Sequence, residues 1–264
     1  MLSAILITRN EAHNLEDCLA SLKDLADEIV VVDTQSSDDT VAIAQKFGAE
    51  VAQPEDWPGF GPQKNRALAL ATQPWVLSID ADERVTSELA VEINVAIGRT
   101  HKDGNQHDLI AKQFSAYEIP RKSWYCGKFI QYSGWRPDYV LRLFRKNSAK
   151  FSDDLVHERV IAEGKIGQLK NHLLHYIYLD FSQVLAKVDA YSSAAAQQAF
   201  SLCERESLGK SVIHGTLTFF RMYVVSARFL DWTHGLAQSI SNAQNIYYKY
   251  VKLWAMWHAK GKSL

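Results

Sequence analysis

The tightest constraint on this chain is an alternation that runs through residues 1–80. Short apolar runs at 2–8, 28–33, 50–52 and 75–79 are separated by segments whose apolar residues fall at helical spacing. Leu15, Cys18, Leu19 and Leu22 share one helical face, and Val41, Ala44 and Phe47 share another, with Gly48 placed to end that helix. A loop over Gly59–Pro62 leads into a helix over Gln63–Ala71 that carries Lys64 near its start. Runs such as Ile29-Val-Val-Val are apolar at consecutive positions, as expected of strands covered on both faces. Strands alternating with helices predict an α/β fold with an open, mostly parallel sheet flanked by helices. In such sheets ligands gather beyond the carboxyl ends of the strands. Thr8, Asn10, Glu11, Asp33, Asp80 and Asp82 all fall at strand ends.

Asp80 and Asp82 follow the run Trp75-Val-Leu-Ser-Ile79. Side chains at i and i+2 of an extended chain point the same way, so the two carboxylates can aim at one point. Paired hard oxygen donors suit Mg²⁺ or Mn²⁺, which in turn hold phosphates. A solvated acidic turn is the other reading of a bare D-x-D, and the convergence of strand ends weighs against it. The net charge of −1 gives no global reason to expect nucleic acid. Cys18, Cys126 and Cys203 are far apart and have no metal-ligand spacing, which predicts a reducing, cytoplasmic compartment. The first residues read as a strand rather than a leader, and no run of about 18 apolar residues suggests a spanning helix.

Beyond this half, 98–115 is a polar loop without periodicity, and 117–121 and 140–146 read as strands. Between those strands lies a segment dense in aromatics and glycine that contains Trp124, Tyr125 and Trp135. Aromatic faces suit sugar rings, and core packing is the equal alternative for each. Residues 151–160 supply further acids, Asp154 and Glu158 among them. A long helix is predicted over 181–205. From Lys210 the chain turns basic and aromatic, the composition of helices that lie in a membrane interface or pack on another subunit.

Five stretches, taken in order, resemble the family 2 glycosyltransferases. They are Ile5-Leu-Ile-Thr-Arg-Asn-Glu11; Ile29-Val-Val-Val-Asp33 with Ser37-Asp-Asp-Thr40; Trp57-Pro-Gly-Phe-Gly-Pro-Gln-Lys-Asn-Arg66; Ile79-Asp-Ala-Asp-Glu83; and Leu155-Val-His-Glu-Arg159. The likeness is strongest to the bacterial branch that includes the lipopolysaccharide core β-1,4-glucosyltransferases. It implies a GT-A fold over 1–180, with a nucleotide-sugar half at about 1–97 and an acceptor half at about 115–180, followed by a helical extension over 181–264. The implied activity is inverting transfer of a hexose, glucose first, from a nucleotide-diphosphate sugar such as UDP-glucose to a lipopolysaccharide-core or other glycolipid acceptor.

On that resemblance Thr8, Asn10, Glu11 and Asp33 surround the nucleoside, although Asp33-Thr34 departs from the family's two adjacent acids. Lys64 and Arg66 lie near the diphosphate. Asp80 and Asp82 hold Mg²⁺ or Mn²⁺, with His175 as a third ligand, a diphosphate contact or a buried structural histidine. Glu158 is the general base with Asp154 as the alternative, and His157 orients the acid or the acceptor; Trp135 is an acceptor-side candidate from its aromatic face alone, with core packing as the equal alternative. The extension implies peripheral attachment to the inner face of the cytoplasmic membrane, or a homo-oligomer contact. The competing readings are a non-catalytic glycan- or nucleotide-binding module and a sugar-phosphate nucleotidylyltransferase. The second normally carries a glycine-rich loop where this chain has Thr8-Arg-Asn-Glu11.

Overall fold

The computed structural model describes residues 1–99, 113–132, 138–152 and 158–261. Strands β1 (Leu2–Thr8), β2 (Glu28–Asp33), β3 (Glu50–Ala52) and β4 (Trp75–Ser78) are parallel and lie in the order β3-β2-β1-β4. They alternate with helices α1 (Ala12–Leu22), α2 (Thr40–Lys46) and α3 (Phe60–Leu70). The period of two along a strand divides the core. Ala4, Leu6, Val31 and Leu77 join Leu15, Leu19 and Leu22 of α1 on one face. Ile5, Val30, Val32 and Val76 join Ala67 and Leu68 of α3 on the other. Both faces are covered, which is why consecutive residues had to be apolar. Full burial of each of these Val, Leu or Ile side chains is worth ~1.5–3 kcal/mol.

Helix α3 begins three residues before the predicted start. Gly59 precedes it at φ 112°, and Pro62 sits in its first turn, where a missing N–H breaks no helical bond. Gly48, at φ 74°, follows α2 as expected.

The sheet continues with antiparallel pairings. The further elements are β5 (Glu83–Val85), α4 (Ser87–Ala96), β6 (Ala116–Tyr125), β7 (Lys128–Phe129), β8 (Asp138–Arg145), β9 (Ala149–Phe151), β10 (Val160–Ala162), β11 (Ile166–Gln168) and β12 (Leu173–Tyr178). β8 runs antiparallel to β4, with Leu77 opposite Leu143, and the order goes on β8-β6-β12-β5. β12 pairs antiparallel with β5 and sets His175 opposite Glu83. β9 and β10 form a separate antiparallel pair. The predicted polar loop at 98–115 falls mostly outside the described residues.

The chain divides into two compact units, residues 1–121 with 138–175, and residues 122–137 with 176–264. The second is built from helices α5 (Phe181–Ser201), α6 (Leu208–Phe220) and α7 (Trp232–Ala259). Asp180 caps α5 by accepting the Gln183 N–H at 3.0 Å, and Ser207 caps α6. Ala196, Ala199, Leu253 and Trp257 form its core, with the Trp257 indole donating to the Glu204 carbonyl at 2.7 Å. The small residues of α5 let α7 approach closely. No described helix is long and apolar enough to cross a membrane.

Candidate active site

Within the first unit, a cavity of about 540 Å³ opens beyond the ends of β1 and β4. Ile7, Thr8, Arg9 and Glu11 line it from the β1 side, and Asp80, Ala81 and Asp82 from the β4 side. Trp57, Phe60 and Lys64 come from α3 and its approach, and Glu158 and His175 close it. The start of α3 is drawn in by Gly61, where a Cβ would stand 1.8 Å from the Ser152 carbonyl oxygen. Asn65 pins the same contact: its amide donates to the Phe151 carbonyl at 3.0 Å and its Oδ1 accepts the Phe151 N–H at 2.9 Å. Lys64 therefore enters the cavity between two acids. Its Nζ lies 3.0 Å from Asp80 Oδ1 and 2.8 Å from Glu158 Oε1, and the residue is only 6% exposed.

The other oxygen of Asp80 is held by Arg142, which also reaches Glu83 Oε1 at 2.8 Å. Arg121 adds a weaker approach to that oxygen at 3.6 Å. Burial on its own would raise the Asp80 carboxyl, but the charges of Arg142 and Lys64 and their hydrogen bonds outweigh it. They hold Asp80 well below the usual carboxylate range. Burial opposes the charge on Arg142 too, and its two carboxylates raise it further above its ordinary value. Asp82 Oδ2 stands 3.3 Å from His175 Nε2, a neighbour relation set by the pairing of β5 with β12. Glu11 is raised by burial, partly offset by the hydrogen bond it accepts from Asn14 at 3.0 Å, with the charge of Asp82 adding to the rise.

Of the residues picked from sequence, Thr8, Glu11, Lys64, Asp80, Asp82, Glu158 and His175 share this cavity. Asp33 stands behind it, fully buried, accepting from Thr8 Oγ1 at 3.0 Å and from the Ser36 N–H at 2.9 Å. Asn10, at φ 55°, accepts the Ser37 N–H at 2.8 Å and so ties the end of β1 to the loop after β2. Arg66 turns outward to Asp56, 2.7 Å away, and is not among the lining residues. Trp135, Asp154 and His157 lie outside the described residues. In the second unit Trp124 packs on Phe129 and Tyr176, with ring centres 4.8 and 5.8 Å away, and Tyr125 is buried. Sequence reasoning missed Arg142, whose one signal was a lone cation inside the apolar strand Val140-Leu-Arg-Leu-Phe144. It also passed over Arg9, Trp57 and Phe60.

The sequence profile of glycosyl transferase family 2 matches residues 3–161, which spans both walls of the cavity. The chain belongs to glycosyl transferase family 2. An uncharacterised glycosyltransferase of Rickettsia conorii is 31% identical over 248 residues, covering 90% of this chain and 84% of its own length. The lipopolysaccharide core biosynthesis glycosyltransferase LpsC of Rhizobium meliloti is 28% identical over 257 residues, covering 92% and 87%. Among solved structures, residues 1–349 of S. aureus TarS in complex with UDP-GlcNAc align at 16% identity and a TM-score of 0.49, covering 99% of this chain and 92% of that one.

For this transferase, parallel strands feeding a ligand cavity and antiparallel strands closing it make up the GT-A type of α/β fold. Among the described residues no group of three or more His, Cys, Asp or Glu side chains is arranged to hold a metal ion. Both Asp80 oxygens are occupied by cations. Asp82 and His175 stand side by side at the cavity wall as a carboxylate and an imidazole. That donor pair fits Mg²⁺ or, with its nitrogen, better Mn²⁺.

Proposed function

We propose that this glycosyltransferase moves a hexose, glucose first, with inversion from a nucleotide-diphosphate sugar, UDP-glucose first, to a lipopolysaccharide-core or related glycolipid acceptor. The observation that carries the reading is the sharing of one ammonium, Lys64, between Asp80 of the two-acid motif and Glu158. It supports a leaving-group side and a proton-accepting side within one cavity. In a single displacement the acceptor oxygen bonds to the anomeric carbon as the bond to the diphosphate oxygen breaks. The acceptor's proton passes to a carboxylate on the opposite face of the sugar, a role in which general bases contribute ~10²–10⁴-fold. Glu158 is that base in this reading.

Thr8 and Glu11 take the nucleoside, with Asp33 and Asn10 holding the loop behind them. Lys64 offsets the charge of the diphosphate. Asp82 and His175 would hold Mg²⁺ or Mn²⁺, and the ion, when bound, stabilises charge on the leaving diphosphate as a Lewis acid. In this reading residues 1–97 serve the donor, and 115–180 serve the acceptor while lending His175 to the donor side. The extension over 181–264 meets the inner face of the cytoplasmic membrane, where a glycolipid acceptor resides. LpsC's name, lipopolysaccharide core biosynthesis, supports that acceptor class. UDP release from UDP-glucose, assayed with Mn²⁺ and a lipopolysaccharide-core acceptor, tests the reading. We expect acceptor-dependent release that Asp82→Ala reduces by at least a hundredfold; release equal in wild type and variant would sink it.

A further inference from the structure

The turn that presents Asp80 and Asp82 is closed on itself by the residue that follows them. Glu83 donates its own N–H to the Asp80 carbonyl at 2.9 Å, and its Oε2 accepts the Asp80 N–H at 3.0 Å. These two bonds run in opposite directions across the same turn and so tie down the backbone that carries both acids. Glu83 also opens β5, and its pairing with His175 puts Asp82 next to that imidazole. Its side chain is wholly buried and does not line the cavity. Arg142, on β8, joins Glu83 to Asp80 Oδ2 and leaves Oδ1 to Lys64.

Such an arrangement is a costly way to fill space. Buried ion pairs are seldom more stabilising than apolar residues of the same volume. The Nε of Arg142 also has no hydrogen-bond partner among the described residues. What the arrangement supplies is direction, in a site where a displacement of about 1 Å can cost ~10²-fold in rate.

We propose that Glu83 and Arg142 are positioning residues for glycosyl transfer. Glu83 clamps the two-acid turn, and Arg142 fixes the rotation of the Asp80 carboxylate so that one oxygen always meets Lys64. The inference rests on the donor and base roles given above. It is tested with Glu83→Gln, Arg142→Lys and the double variant Glu83→Gln/Arg142→Met, which removes one charge of each sign and so spares the fold an unpaired buried ion. Turnover of UDP-glucose with Mn²⁺ and a lipopolysaccharide-core acceptor, UDP affinity by calorimetry and the melting temperature are measured for each.

The single variants are expected to lose about a hundredfold in kcat with donor KM changed less than about threefold. The double variant is expected to melt closer to wild type while its kcat stays low. Single variants that turn over within about threefold of wild type would overturn the proposal, as would a double variant that regains turnover together with stability. Wild-type protein that neither binds UDP nor consumes the donor would overturn the donor reading as well, so the two failures are distinguishable.

Discussion

Lys64 stands between Asp80 and Glu158 with almost no access to water, so the charge balance of the cavity is set by single atoms. Asp80 gives a stability test. Its carboxyl is held low in the folded protein, so its contribution is complete above the unfolded value of about 3.9 and is lost as pH falls toward the folded one. Acid unfolding should therefore steepen below about pH 4 in wild type, and Asp80→Asn should flatten that limb while costing stability at neutral pH. Urea midpoints across pH 3–7 check this, and an identical acid limb in both proteins would contradict it. At this scale the sequence was informative where a residue sat at a strand end. Thr8, Glu11, Asp80 and Asp82 were readable because parallel strands deliver their ends to one place. Arg142 was not, because its partners stand 59 and 62 residues away in the chain and only the β4–β8 pairing brings them together.

At the scale of elements, β1 to β4 were legible because burial on both faces demands unbroken apolar runs, and the cores of β6 and β8 were read at 117–121 and 140–146, while β5, β9, β10 and β11, three residues each, are too short to show a period. The start of α3 was misplaced by three residues because Pro62 reads as a breaker except in a first turn. Gly61 makes the approach of α3 to Ser152 testable. Gly61→Ala should push the helix away and lower both the melting temperature and kcat, since overpacking costs ~1–3 kcal/mol or more and Lys64 moves with the helix. A variant with wild-type melting and turnover would show that the contact is not needed.

In the second unit, α6, the segment that follows it and the first residue of α7 leave Leu217, Phe220, Val224, Val225 and Trp232 exposed, the last two at 80% and 78%. Beside the exposed Arg221, these side chains suit an anionic lipid surface. Sedimentation with phosphatidylglycerol vesicles should capture the wild type and much less of Val225→Glu/Trp232→Glu. Equal sedimentation of both would assign this face to something other than lipid.

For the molecule as a whole, residues 3–161 carry the family and every lining residue of the cavity except His175, and the helices from Phe181 onward lie beyond the family match. The helix expected over 181–205 is observed at Phe181–Ser201, whereas the stretch from Lys210 was legible in the sequence only as composition, basic and aromatic. A ligand bound to the folded state alone raises stability by about 2.7 kcal/mol at a hundred times its Kd, or roughly 5–10 °C for a chain of this size. UDP-glucose with Mn²⁺ should give a shift of that order, and Asp82→Ala should abolish the part that depends on Mn²⁺.

In the proposed reaction the donor and the base occupy separate parts of one cavity, with Glu158 acting on the acceptor and not on the nucleotide. Parallel measurement of UDP affinity and acceptor-dependent turnover in Glu158→Gln tests it most directly. The expected result is a UDP Kd within about threefold of wild type and a kcat lowered ~10²–10⁴-fold. Turnover within tenfold of wild type, or a UDP affinity that falls together with the rate, would contradict it.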